Sequence, residues 1–264
     1  MRYALQVQYI GKNYAGSQLQ ADKPTIQGEL EKALGTLIKC SNQCEAQSGK
    51  SGGFTGYSNN NRPVKTFFSG RTDRGVNSVG QVVHFDCDKP VVASKFIYSL
   101  NEILPPDISV SNLKEVDPKF HAQKSAKKRH YVYEFVNRKC KNAFDGDLMR
   151  IKYDIDVERM QKALDYIKGE HDFSSFKSSG TLNPSKVCFI YEAKCRKAGD
   201  RVIIDITGNR FLYNMVRAIV GTLLEIEGHN LPPEHMKYVL EAKDRSKAGQ
   251  NVSPYGLTLK EVTY

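Results

Sequence analysis

The chain has 264 residues, enough for one large domain or two small ones with an ample core in either case. Lys and Arg number 39 against 29 Asp and Glu, and the net charge of +10 favours a polyanionic partner over an acidic small molecule. There is no apolar run long enough to span a bilayer, no basic amphipathic helix with a wide apolar face, and no signal peptide ahead of the first alternating segment, so a soluble cytoplasmic protein without a membrane partner is expected.

Residues Tyr3 to Tyr9 alternate, with Tyr3, Leu5, Val7 and Tyr9 on one face, and predict a half-buried first strand. Thr25 is placed to cap a helix whose stripe is Ile26, Leu30, Ala33, Leu34, Leu37 and Ile38. From Ser41 to Pro63 the chain is rich in Gly, Ser, Asn and Gln and longer than an ordinary connection, which reads as an insertion. Past the loop at Asp73, Ser94 is expected to cap a helix that Pro105 and Pro106 end, with the domain boundary near this point. Asp156 caps a further helix carrying Met160 and Leu164, and Phe173 and Phe176 read as core. His171 and Asp172 are adjacent, so their side chains point apart and make no catalytic pair. Val187 to Cys195 and Val202 to Ile206 predict neighbouring antiparallel strands, and 256 to 264 a closing one. Cys40, Cys44, Cys87, Cys140, Cys188 and Cys195 form no CxxC pair and have no matching His spacing, which argues against a zinc site or a redox motif.

Three stretches carry chemistry. Ser69-Gly70-Arg71-Thr72-Asp73-Arg74-Gly75-Val76 lies between two strand-like runs, with two glycines that permit a tight loop. Arg71 and Arg74 flank Asp73, favour its ionised form and attract phosphate, which suits a nucleophile or base acting on an anionic polymer. The plainer alternative is a hairpin turn whose Thr72 and Asp73 bond their own backbone. Phe120 to Tyr133 interleaves cations with aromatics, as a phosphate track with stacking rings would, or as a strand with tyrosines inward and lysines outward. In Gly208 to Gly221, Arg217 sits off the centre of a helical stripe formed by Leu212, Met215, Val216, Ile219 and Val220.

Gly-Arg-Thr-Asp-x-Gly-Val followed by Gln-Val-x-His-Phe resembles the signature of the TruA family of tRNA pseudouridine synthases. Tyr9 to Gln18, Phe120 to Tyr133, Gly169 to Phe176 and Gly208 to Gly221 are similar to further blocks of that family. Ile10, Ser17, Asn77 and Thr258 depart from its usual Asp, Trp, His and Tyr. The resemblance implies isomerisation of uridine to pseudouridine in the anticodon arm of tRNA, at positions 38 to 40, with no cofactor. It implies Asp73 as the catalytic carboxylate, Tyr131 in the uridine pocket, Arg217 as the basic residue paired with the carboxylate, and Arg71 as a phosphate or base-flipping contact. It also implies a homodimer gripping one tRNA. The expected architecture is α+β: two ferredoxin-like domains, 1–105 with the Asp73 loop and 106–264 with Tyr131 and Arg217, sharing a mostly antiparallel sheet with a basic cleft between them. Two rivals stay open: a glycosidase, which normally needs a second carboxylate, and an RNA-binding relative that has lost catalysis.

Overall fold

The structure, a computed structural model, describes residues 1–47, 64–178 and 185–264, leaving aside the side chains of 39–47. It is a mixed α+β fold, and the described chain divides into two compact units, Met1–Ala126 with Tyr264, and Lys127–Thr263. Among the described residues, the strand pairs within each unit are antiparallel apart from one short parallel contact in the second.

In the first unit the order is β1 (Arg2–Tyr9), α1 (Ile26–Gln47), β2 (Thr66–Phe68), β3 (Asn77–Asp86), α2 (Ala93–Ile103) and β4 (Ile108–Val116). The strands lie in the order β4-β1-β3-β2, all antiparallel. Alternation along β1 sends Tyr3, Leu5, Val7 and Tyr9 into one core with the whole apolar stripe of α1 and with Phe96 and Leu100 of α2. Each such side chain contributes about 1.5–3 kcal/mol by leaving water. Thr25 caps α1 as its sequence implies, accepting the Gly28 N–H at 3.1 Å. The helix runs on to Gln47, into the segment read from sequence as an insertion, because no Gly or Pro interrupts residues 41–47; residues 48–63 lie outside the described ones. Ser94 does not cap α2. Val92 holds the cap position and makes no side-chain bond there, which puts Ser94 inside the first turn. The division between units falls after Ala126, later than residue 105, because β4 turns back to pair with β1 from Ile108 onward.

The second unit contains β5 (Lys128–Asn137), β6 (Arg150–Ile151), α3 (Val157–Asp165), β7 (Gly169–Asp172), β8 (Val187–Ala198), β9 (Arg201–Gly208), α4 (Met215–Gly228), α5 (His235–Ala242) and β10 (Leu257–Thr263). The strand order is β10-β5-β9-β8-β7, antiparallel throughout, with β6 joined parallel to β5. Asp156 caps α3 by accepting the N–H groups of Glu158 and Arg159. The fully buried Glu227 near the end of α4 receives the Arg159 guanidinium at 2.7 and 2.9 Å and the Asp156 N–H at 2.8 Å, so one carboxylate ties two helices together. Phe173 and Phe176 are fully buried, as their spacing implies. His171 bonds the Lys168 carbonyl while Asp172 accepts from Ser174, so the adjacent pair is split between local turns.

Candidate active site

The Asp73 loop joins β2 to β3, and its shape is set by groups that the chain brings in from β1 and from the turn after it. Ser17 and Thr72 form a reciprocal pair: the Ser17 N–H donates to the Thr72 carbonyl at 3.0 Å, and the Thr72 N–H donates to Ser17 Oγ at 2.8 Å. Thr72 Oγ1 meets the Tyr9 hydroxyl at 2.8 Å. On the other side, the Gln81 carboxamide donates to the Gly70 carbonyl at 3.0 Å and accepts from the Ser69 hydroxyl. It also reaches Tyr9 Oη at 3.4 Å, which joins the two halves of the network. Tyr9, Ser17, Ser69, Thr72 and Gln81 are all buried. Burial pushes the Tyr9 hydroxyl pKa up, so it stays neutral and serves as a hydrogen-bonding group.

Buried polar groups of this kind are costly when unpaired, and satisfied ones hold a single arrangement. Two close approaches tighten the loop further. A Cβ on Gly11 would lie 2.1 Å from the Val76 carbonyl oxygen, and one on Gly16 would lie 2.8 Å from that of Thr72. Only glycine lets the Gly11–Ser17 segment pass so close to the loop. A turn closed by the Val76 N–H on the Asp73 carbonyl at 3.1 Å completes it. Asn77, where the family usually has His, accepts the Gly11 N–H at 2.9 Å and so has a structural partner of its own.

The result is a loop pinned from within. Gly70 and Thr72 are anchored below, Asp73 is half-buried, and Arg71 and Arg74 are exposed. Thr72 departs from the turn-forming alternative: its side chain bonds Tyr9, sixty-three positions away, instead of its own backbone. Sequence reasoning missed Tyr9, Thr72 and Gln81 as site-building residues. The only signal along the chain was a polar side chain at Tyr9 and at Gln81 within strand-like apolar patterns, which does not by itself report burial.

Tyr131 and Arg217 belong to the second unit, Asp73 and Arg71 to the first. Tyr131 is buried in β5, opposite Leu259 of β10 and Ile206 of β9, with Phe211 edge-on at 5.1 Å between ring centroids. That ring pair fixes the plane of the tyrosine. Arg217 lies in the first turn of α4, half-buried, its guanidinium donating to the Val252 carbonyl and to Asn214 Oδ1, each at 2.8 Å. Asn214 takes the left-handed conformation needed at that helix start, with φ of 60°, and its amide nitrogen donates to Ser178. The arginine is therefore oriented by backbone and by a strained asparagine. Its charge acts on Tyr133, two residues from Tyr131 on the same face of β5, against the upward push of burial on that hydroxyl.

Among the described residues no group of His, Cys, Asp and Glu is placed to hold a metal ion, and none of the helices is long and apolar enough to cross a membrane. Burial pushes the thiols of Cys188 and Cys195 up to about 11 and about 12, which leaves both as inert thiols at neutral pH.

Comparison with known proteins gives the chemical setting. Residues 163–264 match the family model described as tRNA pseudouridine synthase. A "tRNA pseudouridine synthase A" of Anoxybacillus flavithermus is 40% identical over 98% of this chain and 96% of its own. Namesakes from Caldicellulosiruptor saccharolyticus and Ehrlichia canis are each 38% identical, the first over 98% of both chains and the second over 100% of both. Among solved structures, a chain of an archaeal box H/ACA sRNP complex aligns at 9% identity with a TM-score of 0.39, covering 99% of this chain and 47% of that one, too loose a match to bear on the fold. With relatives at this identity aligned from end to end, the chain belongs to the tRNA pseudouridine synthase family.

Proposed function

We propose that this protein converts uridine to pseudouridine in the anticodon arm of tRNA, at positions 38 to 40, with Asp73 as the catalytic carboxylate. The observation that carries the assignment is the pinned loop: one half-buried carboxylate, with anchored residues before it and exposed arginines on either side. The reaction breaks the C1′–N1 bond, turns the uracil and joins C1′ to C5; the hydrogen at C5 is lost and N1 gains a proton. Atoms and electrons balance without a redox partner, so the chemistry calls for no cofactor. Asp73 acts on the ribose, either by attack at C1′ or by removal of a ribose proton. To reach it, the uridine leaves its stack. Arg71, exposed beside Asp73, suits a phosphate or the space left by the flipped base. Tyr131, its ring plane fixed by Phe211, suits a platform for the freed uracil, and the oriented guanidinium of Arg217 suits an anionic partner.

The net charge of +10 supports tRNA as the substrate, and the family resemblance supports a cytoplasmic homodimer as the working form. Each unit supports a ferredoxin-like reading. The first runs β-α-β-β-α-β with strand order β4-β1-β3-β2. The second repeats that order as β10-β5-β9-β8 around α3 and α4, with β6, β7 and α5 added.

Tritium release from tRNA labelled at C5 of uridine tests the proposal, because pseudouridine formation frees that hydrogen and hydrolysis of the base does not. Release by the wild type and none by Asp73→Asn is expected. If neither protein releases tritium while both bind tRNA, the protein is a binding-only relative and the catalytic assignment falls.

A further inference from the structure

We propose that Thr72 is a positioning residue for Asp73, acting through its hydroxyl contact with Tyr9. The inference rests on the assignment of Asp73 as the catalytic carboxylate and deepens it. Thr72 precedes Asp73 directly, so the peptide plane leading into the carboxylate is fixed by whatever fixes Thr72. Three of its polar groups are engaged: its N–H and carbonyl with Ser17 at 2.8 and 3.0 Å, and its hydroxyl with Tyr9 at 2.8 Å. The Tyr9 hydroxyl lies in turn 3.4 Å from the Gln81 amide nitrogen, which holds the Gly70 carbonyl two residues further upstream. The chain Thr72–Tyr9–Gln81–Gly70 thus grips the loop on both sides of Arg71.

Thr72, Tyr9 and Gln81 are buried, so water cannot replace the partner of the Thr72 hydroxyl without opening the core. The backbone pair with Ser17 survives any change at the Thr72 side chain. What the hydroxyl adds is a rotational restraint at the residue next to the carboxylate. A misplacement of about 1 Å in a reacting group can lower a rate by roughly a hundredfold, whereas binding of a large polyanion is spread over many distant contacts. The hydroxyl contact therefore acts on the chemical step and leaves tRNA affinity alone.

The test compares Thr72→Val, Thr72→Ser, Tyr9→Phe and Asp73→Asn by single-turnover pseudouridine formation and by tRNA Kd. Thr72→Val keeps the shape and removes the hydroxyl, Thr72→Ser keeps the hydroxyl, and Tyr9→Phe removes the partner oxygen. Expected is a rate loss of about tenfold or more for Thr72→Val and Tyr9→Phe, with Kd within about twofold of wild type and most of the rate kept by Thr72→Ser. The double variant Tyr9→Phe with Thr72→Val should be no slower than the slower single variant, since both remove the same contact. Wild-type rates for Thr72→Val and Tyr9→Phe, with Asp73→Asn inactive, would overturn the positioning role and leave Asp73 in place. A rate loss matched by an equal loss of affinity would overturn it as well. Activity in Asp73→Asn would instead remove the assignment on which the inference stands. Should Thr72→Val not fold, Tyr9→Phe, which deletes one oxygen and no carbon, carries the comparison alone.

Discussion

His84 in β3 is 1% exposed and is held neutral, which makes the first unit sensitive to mild acid. Its Nδ1 accepts the Ala122 N–H at 3.1 Å, and its ring lies on Phe67 at 4.8 Å and against His121 at 4.9 Å. Burial, reinforced by the charges of Arg2 and His121, pulls its pKa down from 6.5 to about 4, against smaller upward pulls from Asp86 and the Phe67 backbone. Because the folded value lies below the unfolded one, the unfolded chain binds more protons between the two. The stability contribution is complete above about pH 6.5 and is lost as pH falls toward about 4. Two and a half units at about 1.4 kcal/mol each bound the effect at about 3.5 kcal/mol, of which about 2.5 kcal/mol falls between pH ~7.5 and pH ~4.5.

His84→Asn isolates this contribution. Asparagine Oδ1 stands where Nδ1 does, so the Ala122 N–H keeps an acceptor, while the titrating ring is gone. Removing the ring costs about 1–2 kcal/mol at every pH through lost packing. Urea unfolding followed by circular dichroism at each pH should show wild type losing about 2.5 kcal/mol more than the variant on acidification. His121 is lowered by burial and by Lys124 and Arg2, and Asp86 is lowered mainly by its bond to Arg2; these causes remain in the variant and cancel in the difference, apart from the lesser pull of the His84 charge on Asp86. Parallel loss of stability in the two proteins, within about 0.5 kcal/mol, would refute a buried neutral His84.

Two further substitutions probe the second unit. A Cβ on Gly221 would lie 1.8 Å from the Gln250 carbonyl oxygen, and backbone cannot step aside as a flexible side chain can, so Gly221→Ala should cost about 3 kcal/mol and lower Tm by roughly 6–12 °C in a thermal melt. An unchanged Tm would mean that α4 and the segment at Gln250 are not so closely packed. Asp156→Ala removes the side-chain acceptor for the Glu158 and Arg159 N–H groups and should cost about 1 kcal/mol by urea denaturation. Asp156→Asn should recover most of that, because an amide oxygen caps nearly as well; equal losses in the two variants would place the effect elsewhere.

Much of this protein is legible along the chain because helices and strands report their own buried faces. The stripe from Ile26 to Ile38, the alternation of Tyr3 to Tyr9, the caps at Thr25 and Asp156 and the pairing of β8 with β9 follow from spacing alone. The loop that carries Asp73 was visible too, through its two glycines and flanking arginines. What spacing could not determine was which distant groups meet. The turn of β4 back onto β1 moves the division of the chain past Ala126, and Ser94 loses the cap of α2 to Val92 by a shift of one helical turn or less. Above all, the grip of Tyr9, Ser17 and Gln81 on the Asp73 loop joins residues far apart in sequence, all polar and all buried. A polar residue in a strand looks the same in sequence whether it faces water or a partner in the core; only closure of β1 against β3 provides the partner, and with it the free energy that makes burial favourable.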